Sequence, residues 1–455
     1  MPLFRRGILY GNAVPLPLHD LTGDLERDTS AGMSRGALQA DERRLGGRAL
    51  GARRVSICVG AALVVALAVL RGVGVQAGAR QDPVRPVELR GVWITNVDSA
   101  VLDSRASIAE AMDFLAAHHF NVVFPVVWNK TYTLYPSRVM RRAFGTEIDP
   151  KHRGRDPLAE LIEEAHRRRI AVVPWFEYGF AASYRAGGGR LIDAHPSWAA
   201  RDRDGQLLTK NGFEWLDPLN AEVERFLTSL VLEVVARYRV QGVQGDDRLP
   251  AMPGEGGYSD AARALYAREH GGAPPPIDFR DGPWVRWRAG KLSAIAQRIH
   301  RAVKRRKPGL VVSWAPSVFP FALDEYLQDW PAWVNGGYAD IVHPQVYRRT
   351  IDDYRRTLDA QGAAALGLAR QVVYPGVLIN VGRYVVADDL LVQMVAANRE
   401  RGYRGEVFFF YEGLRKDGNR LARALLLSMA DFMARAPAMS VTMRSGYDAI
   451  QADGQ

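Results

Sequence analysis

From residue 88 onward two patterns of apolar and polar positions alternate. Short runs rich in Val, Ile, Phe and Trp stand at 89–96, 121–127, 170–176, 242–246, 310–314, 341–345, 372–378 and 406–411. Between them lie longer stretches whose apolar residues recur every three or four positions, at 108–119, 157–169, 221–238, 285–304, 324–334, 351–360 and 387–401, with a last one at about 415–434. The first pattern predicts strands and the second predicts amphipathic helices. Strict alternation of the two predicts parallel strands joined by crossover helices, because a parallel neighbour cannot be reached by a tight turn. Eight such pairs, with no glycine-rich dinucleotide fingerprint, predict an α/β fold closed as a (β/α)8 TIM barrel over 88–436 rather than an open doubly wound sheet.

Two connections are too long to be turns, 177–220 and 247–284. Both follow a strand, so both belong to the face where such barrels build their sites. The second contains Pro253, Gly254, Gly256, Gly257 and Pro274 to Pro276, and is expected to have little regular structure of its own. There is no internal repeat and no pattern for a second domain.

The segments outside the barrel carry an address. Residues 1–80 form an N-terminal extension in which Arg53 and Arg54 precede an apolar run at 55–70, followed by small residues with candidate cleavage after Ala77 or Ala79. That run is shorter than the roughly 20 residues of a membrane span, so it is taken as a signal peptide, with an uncleaved membrane anchor as the alternative. Met33 as an alternative start would place it at a normal distance. The paired arginines raise the twin-arginine export route, although the residues after them match that signal poorly. The one cysteine, Cys58, lies inside the run. The mature chain would therefore have no thiol and no disulfide, and the position of Cys58 before most of the run argues against a lipoprotein signal. A linker at 81–87 and a small, polar tail at 437–455, expected to be disordered, complete the chain. The expected location is periplasmic, cell-envelope or extracellular.

The formal charge of +10 invites a nucleic-acid reading, but residues 1–80 have no Lys, many Arg and about half of that excess. In the barrel the basic residues are mixed with acidic ones along helices such as 158–169, the pattern of a solvated face, which argues against nucleic acid. Ten tryptophans suit a sugar-binding cleft and equally suit a large core.

Candidate chemistry follows from which carboxylates sit at the C-terminal ends of strands, since hydrolysis of a glycosidic bond generally needs two of them. Four do: Glu177 after the third strand, Asp246 and Asp247 after the fourth, and Glu412 after the eighth. In Gly242-Val243-Gln244-Gly245-Asp246-Asp247 the period of two sets Gly242, Gln244 and Asp246 on one face and Val243 on the other. Val243 belongs against the helices, so Asp246 points into the barrel mouth and Asp247 begins the loop. Adjacent carboxylates repel, which can hold one of them protonated as a general acid; alternatively Asp247 caps a turn or pairs with Arg248. Aromatic neighbours of Glu177 and Glu412 serve either to stack on sugar rings or simply to pack. Asp340, at the start of the sixth strand, is expected to be structural. Substrate contacts are assigned to Trp93, Asn96, Trp128, Trp175, Trp314, Gln345 and Tyr347. No metal site and no cofactor is assigned: the nine histidines show no ligand spacing, His118 and His119 suit a helix end, and neither a phosphate-binding loop nor a Gly-x-Ser-x-Gly elbow occurs.

The stretches 89–96, 120–125, 215–218, 242–247 and 343–347, in that order, resemble the glycosyl-hydrolase-like ten family. The resemblance covers roughly 88–415 and implies a barrel hydrolase of the bacterial envelope, in a family that includes divisome-associated enzymes acting on peptidoglycan glycan strands. Association with the division machinery is implied in the same way. The family's fourth strand usually ends in an aromatic residue, two aspartates and a His or Tyr. The aspartates match Asp246 and Asp247, whereas Gly245 stands for the aromatic and Arg248 for the His or Tyr, a departure pointing either to altered substrate choice or to weakened catalysis. Trp330 and Arg348 also look similar to the branch with a long loop after the fourth strand.

Two functions are therefore carried forward. One is a glycosidase in which Asp246 and Asp247 supply the acid and its electrostatic partner, with Glu177 or Glu412 as nucleophile or base. Its polysaccharide is peptidoglycan first and a secreted exopolysaccharide second. The other is a glycan-binding barrel without turnover, held to its ligand by Trp93, Trp128, Trp175 and the long loops.

Overall fold

The structure is a computed structural model that describes residues 88–369 and 371–433. The expected signal segment with Cys58, the linker at 81–87 and the tail at 437–455 lie outside the described residues.

All eight predicted strands form. They are β1 (Leu89–Ile94), β2 (Val122–Pro125), β3 in two pieces (Ala171–Val172 and Trp175–Phe176), β4 (Gly242–Asp246), β5 (Val311–Ala315), β6 (Ile341–Val342), β7 (Gly376–Leu378) and β8 (Gly405–Phe409). Pro174 splits β3, since proline has no N–H for the ladder. Every neighbouring pair is parallel, in the order 7-8-1-2-3 on one side and 3-4-5-6 on the other. Parallel bridges Val342 to Val373 and Gln345 to Gly376 join β6 to β7, so the ring closes.

Side chains alternate across this wall. Trp93, Phe124, Trp175, His343 and Phe409 meet inside the ring, with centroids 5.1–6.5 Å apart. One polar thread crosses them: Trp93 Nε1 donates to Gln244 Oε1 (2.7 Å), and Gln244 Nε2 donates to Ser313 Oγ (2.9 Å). The helices cover the outside, where Val243 packs as expected and is buried.

Several sequence expectations need correction. The helix expected at 324–334 is two, Phe321–Tyr326 and Trp330–Asn335. Leu327 turns left-handed between them, and Gln328 Nε2 donates to the carbonyls of Asp246 and Pro250, which fixes the end of β4. The last helix runs Tyr411–Met433, broken by non-helical Lys416 to Asn419. The connection at 247–284 is not without regular structure: it holds the helix Asp260–Glu269, capped by Ser259 Oγ, which accepts from the backbone N–H of Ala262. Tyr266 of that helix packs edge-on against Trp284, so the loop has a small core of its own. The connection at 177–220 carries a three-stranded antiparallel sheet, Ala181–Tyr184, Phe213–Trp215 and Thr209–Lys210. A hairpin after β2, Trp128–Asn129 with Tyr132–Thr133, had no counterpart among the predicted elements.

Candidate active site

The C-terminal ends of β3 and β4 bring three carboxylates to one guanidinium. Arg248 lies in the turn just past the end of β4. Its Nη2 stands 3.1 Å from Asp246 Oδ2 and 3.6 Å from Glu177 Oε1, and its Nη1 stands 3.3 Å from Asp247 Oδ1. Its Nε donates to the Glu177 carbonyl at 3.0 Å, and Phe213 of the inserted sheet covers it at 4.9 Å. All four residues are at most 5 % exposed. Such a cluster is costly to bury unless each charge is met, and one guanidinium cannot neutralise three carboxylates, so ionisation of all three together is disfavoured.

The remaining contacts separate the three acids. Asp246 Oδ1 accepts from Gln345 Nε2 (3.1 Å), itself held near the Ala315 carbonyl. Asp247 Oδ1 is buried without a hydrogen bond among the described residues, since its approach to Arg248 is ionic rather than aligned. Glu177 Oε2 accepts from Asn129 Nδ2 (2.8 Å), which also donates to Asn96 Oδ1 (2.8 Å). Burial, and the charge of Asp247 beside it, lift Asp246 well above the ordinary carboxylate range, and burial lifts Asp247 against the pull of Arg248. Two adjacent buried acids facing one cation titrate as a pair, and burial disfavours the state in which both are ionised. Burial also raises Glu177, to about 7, against the opposing charge of Arg248. Tyr347 is buried beside all three acids, and burial and their charges push its hydroxyl up.

Above Glu177 opens a cavity of about 310 Å³, walled by Asn129, Lys130, Tyr178 and, from the inserted sheet and its helix, Ser183, Arg190 and Phe213. Glu177 is the one carboxylate of the three that lines it.

The structure thus brings together Glu177, Asp246, Asp247, Asn96, Gln345 and Tyr347. It separates the rest. Glu412 begins the last helix, across the ring from β4, and its carboxylate accepts from Ser99 Oγ (2.8 Å), so its assignment to the catalytic set is corrected. Trp314 faces outward: it packs on Trp333 and its Nε1 donates to the Tyr338 carbonyl, which leaves no face for substrate. Trp128 also faces outward, against Phe226, with Nε1 donating to the Gly179 carbonyl. Trp93 and Trp175 are interior core, at most 3 % exposed, and support the site from below rather than stack on a ligand. Asp340 is structural as expected, paired with Lys304 and accepting from the Val312 N–H.

Asn129 was missed, and its signal was weak. Counting by twos from inward-facing Phe124 selects Trp128, but the hairpin turns the chain over and presents Asn129 instead. Arg248 was weighed as a partner of Asp247 and as the residue standing for the family's His or Tyr; it lies in the turn past β4, where the period of two no longer places a side chain. Gly245 has a direct explanation: a Cβ there would stand 2.4 Å from the Trp314 ring and 2.5 Å from the Leu249 carbonyl oxygen, so Trp314 fills the volume of the absent aromatic side chain. Among the described residues no group of three or more His, Cys, Asp or Glu is arranged to hold a metal ion.

Comparison with known proteins shows the family and the fold. The family model described as glycosyl hydrolase-like 10 matches residues 88–382. The chain is 27 % identical over 301 residues to glycosyl hydrolase DigH of Escherichia coli (strain K12), covering 61 % of this chain and 65 % of that protein. It is 24 % identical over 291 residues to glycosyl hydrolase YngK of Bacillus subtilis (strain 168), covering 57 % and 54 %. The match therefore spans less than two thirds of the length of these curated relatives. In fold it is similar to the PgaB (BpsB) glycoside hydrolase domain from Bordetella bronchiseptica (TM-score 0.56, 13 % identity, 76 % of this chain and 99 % of that one). It is similar also to the catalytic domain of β-amylase from Paenibacillus polymyxa (TM-score 0.54, 10 % identity, 78 % and 100 %).

Proposed function

The chain belongs to the glycosyl hydrolase-like 10 family, and from that premise we propose that it is an exported glycoside hydrolase of a cell-envelope polysaccharide, peptidoglycan glycan strands in the first place. The observation that carries the reading is Glu177, a buried carboxyl near pKa 7 on the wall of a cavity, beside an aspartate pair clamped by Arg248. A carboxyl that still holds its proton near neutral pH can donate it to the leaving glycosidic oxygen. The pair Asp246 and Asp247, sharing one proton, keeps one negative charge, and that charge acts as nucleophile or as base toward water. Arg248 and Gln345 hold the pair in place, Asn129 orients Glu177, and Tyr347 closes the floor. These roles reverse the expectation that the aspartate pair supplies the acid, because only Glu177 opens onto the cavity.

A second reading, a glycan-binding barrel without turnover, draws on one observation: Arg248 sits where it can neutralise the very carboxylates that hydrolysis would use. One experiment separates the two. The purified chain is incubated with stem-peptide-free peptidoglycan strands, and soluble products are followed by mass spectrometry. Release of muro-oligosaccharides, with a loss of about 10²–10⁴-fold in Glu177→Gln and in Asp247→Asn, is the expected result. Measurable binding with no product at any protein concentration would support the binding barrel.

A further inference from the structure

The cavity above Glu177 has two cations on its wall, Lys130 and Arg190, and neither makes a side-chain ion pair or hydrogen bond among the described residues. Arg190 Nη1 is buried with no hydrogen-bond partner. Its guanidinium stacks over the Tyr132 ring at 4.5 Å from the centroid, with Phe144 on a further side at 5.6 Å. Stacking fixes the plane of the group and leaves its N–H edge to be used, which is the geometry that receives a carboxylate.

Lys130 is held in place at some cost. It and Thr131 are the two turn residues between Trp128–Asn129 and Tyr132–Thr133, with φ of 48° and 62°. Such turns ordinarily take Asn-Gly, and a left-handed residue with a side chain costs roughly 1–2 kcal/mol. A chain that keeps Lys here places its ammonium near Glu177, whose ionised form it favours. The other acid near this wall is already engaged: Glu214 accepts from Ser183 Oγ (2.5 Å). Arg185 lies outside, over the Tyr184 ring.

A neutral sugar offers these two cations only hydroxyl and amide oxygens, whereas a carboxylate also supplies the opposite charge. We propose that Lys130 and Arg190 form a subsite for an acidic sugar, receiving the carboxylate substituent of the ring that lies beside Glu177. This rests on the glycoside hydrolase reading and narrows it to an anionic glycan. The carboxylate has two chemical sources, a lactyl ether on an amino sugar or the C6 carboxyl of a uronic acid.

The test is titration calorimetry on the full chain, carrying Asp246→Asn to hold turnover off, with three tetrasaccharides. These are an N-acetylglucosamine tetramer, the same backbone with lactyl ethers on alternate rings, and a uronic-acid tetramer. One acidic tetramer should bind about tenfold or more tighter than the neutral one, and the preference should shrink between about 50 and 500 mM salt. Lys130→Gln with Arg190→Gln should erase the preference, bringing acidic and neutral tetramers to the same Kd, whereas Arg190→Lys, which keeps the charge, should retain most of it. Equal binding of acidic and neutral tetramers, or a preference that survives the double substitution, overturns the subsite and leaves the glycan reading standing. Binding of none of the three overturns both. Which acidic tetramer is preferred identifies the source of the carboxylate.

Discussion

At the scale of single residues, the protonation of Glu177 ties activity to stability. Its carboxyl titrates near 7 in the folded chain against an ordinary value of 4.5. Below about pH 4.5 it is protonated folded or unfolded, and its ionisation contributes nothing. As pH rises from about 4.5 to 7 the unfolded state ionises while the folded state keeps its proton, so on the order of 3 kcal/mol of stability is lost by the time the folded carboxyl titrates, and the loss is constant above that. Glu177→Gln removes that penalty and keeps an oxygen for Asn129. The variant is therefore expected to be inactive, yet more stable than the parent at pH 8 by about 2–3 kcal/mol and nearly equal to it at pH 4, as read from urea unfolding at the two pH values. A parent and variant whose difference does not change with pH would show that Glu177 is already ionised in the folded state. The position of this residue was legible because it ends a barrel strand, as do Asp246 and Asp247. What the strand pattern could not supply was the third dimension around them. Alternation gave the inward face of β4, and from it Asp246, but it failed wherever the chain stopped being a strand: at Arg248, in the turn past β4, at Trp128, turned outward by a hairpin, and at Glu412, turned away by the start of a helix.

At the scale of elements, the long connection after β4 shows why local signals misled. Its glycines and prolines predict irregular chain, and Gly254 and Gly256 do lie outside any helix or strand. Order comes instead from a distant residue. Arg288, fully buried in the helix Gly282–Arg306, donates to the carbonyls of Gly254, Gly256 and Phe279, and stacks on Trp284. No spacing rule links an arginine in a helix to glycines more than thirty positions earlier, so this contact was not readable from the pattern. Similarly, Gln328 interrupts a helix to bind the end of β4, although Pro331 inside the predicted helix was a visible warning. Arg288→Met fills the volume but leaves three buried carbonyls without their donor. It should cost about 3 kcal/mol and open the segment 254–281 to limited proteolysis before the barrel itself unfolds. Cleavage sites distributed evenly over the chain would instead mean that Arg288 holds the whole fold rather than this loop.

At the scale of the whole molecule, the two halves of the argument come from different physics. The barrel was legible because eight buried strands and their helices each repeat one period, and the errors at individual boundaries do not alter the count. Its address rests on residues outside the described structure, where composition alone speaks: an Arg-only, Lys-free leader and an apolar run that contains the one cysteine of the chain. A barrel that forms from residue 88 onward with no cysteine of its own is indifferent to the redox state of its compartment. The proposed export rests on the run at 55–70 and can be tested apart from the enzyme. Alkaline phosphatase, which is active only where its disulfides form, is joined after residue 87 and expressed in a bacterial host. Phosphatase activity is expected from the leader begun at Met1 and equally from one begun at Met33, and should vanish when Val64→Asp and Leu67→Asp place two charges in the apolar core of the signal. Activity that survives both charges would show that export does not depend on this run, whereas activity absent from the unchanged leader would remove the envelope from the proposed function. The glycan would then have to be sought inside the cell, while the chemistry argued from Glu177 and the aspartate pair would stand as it is.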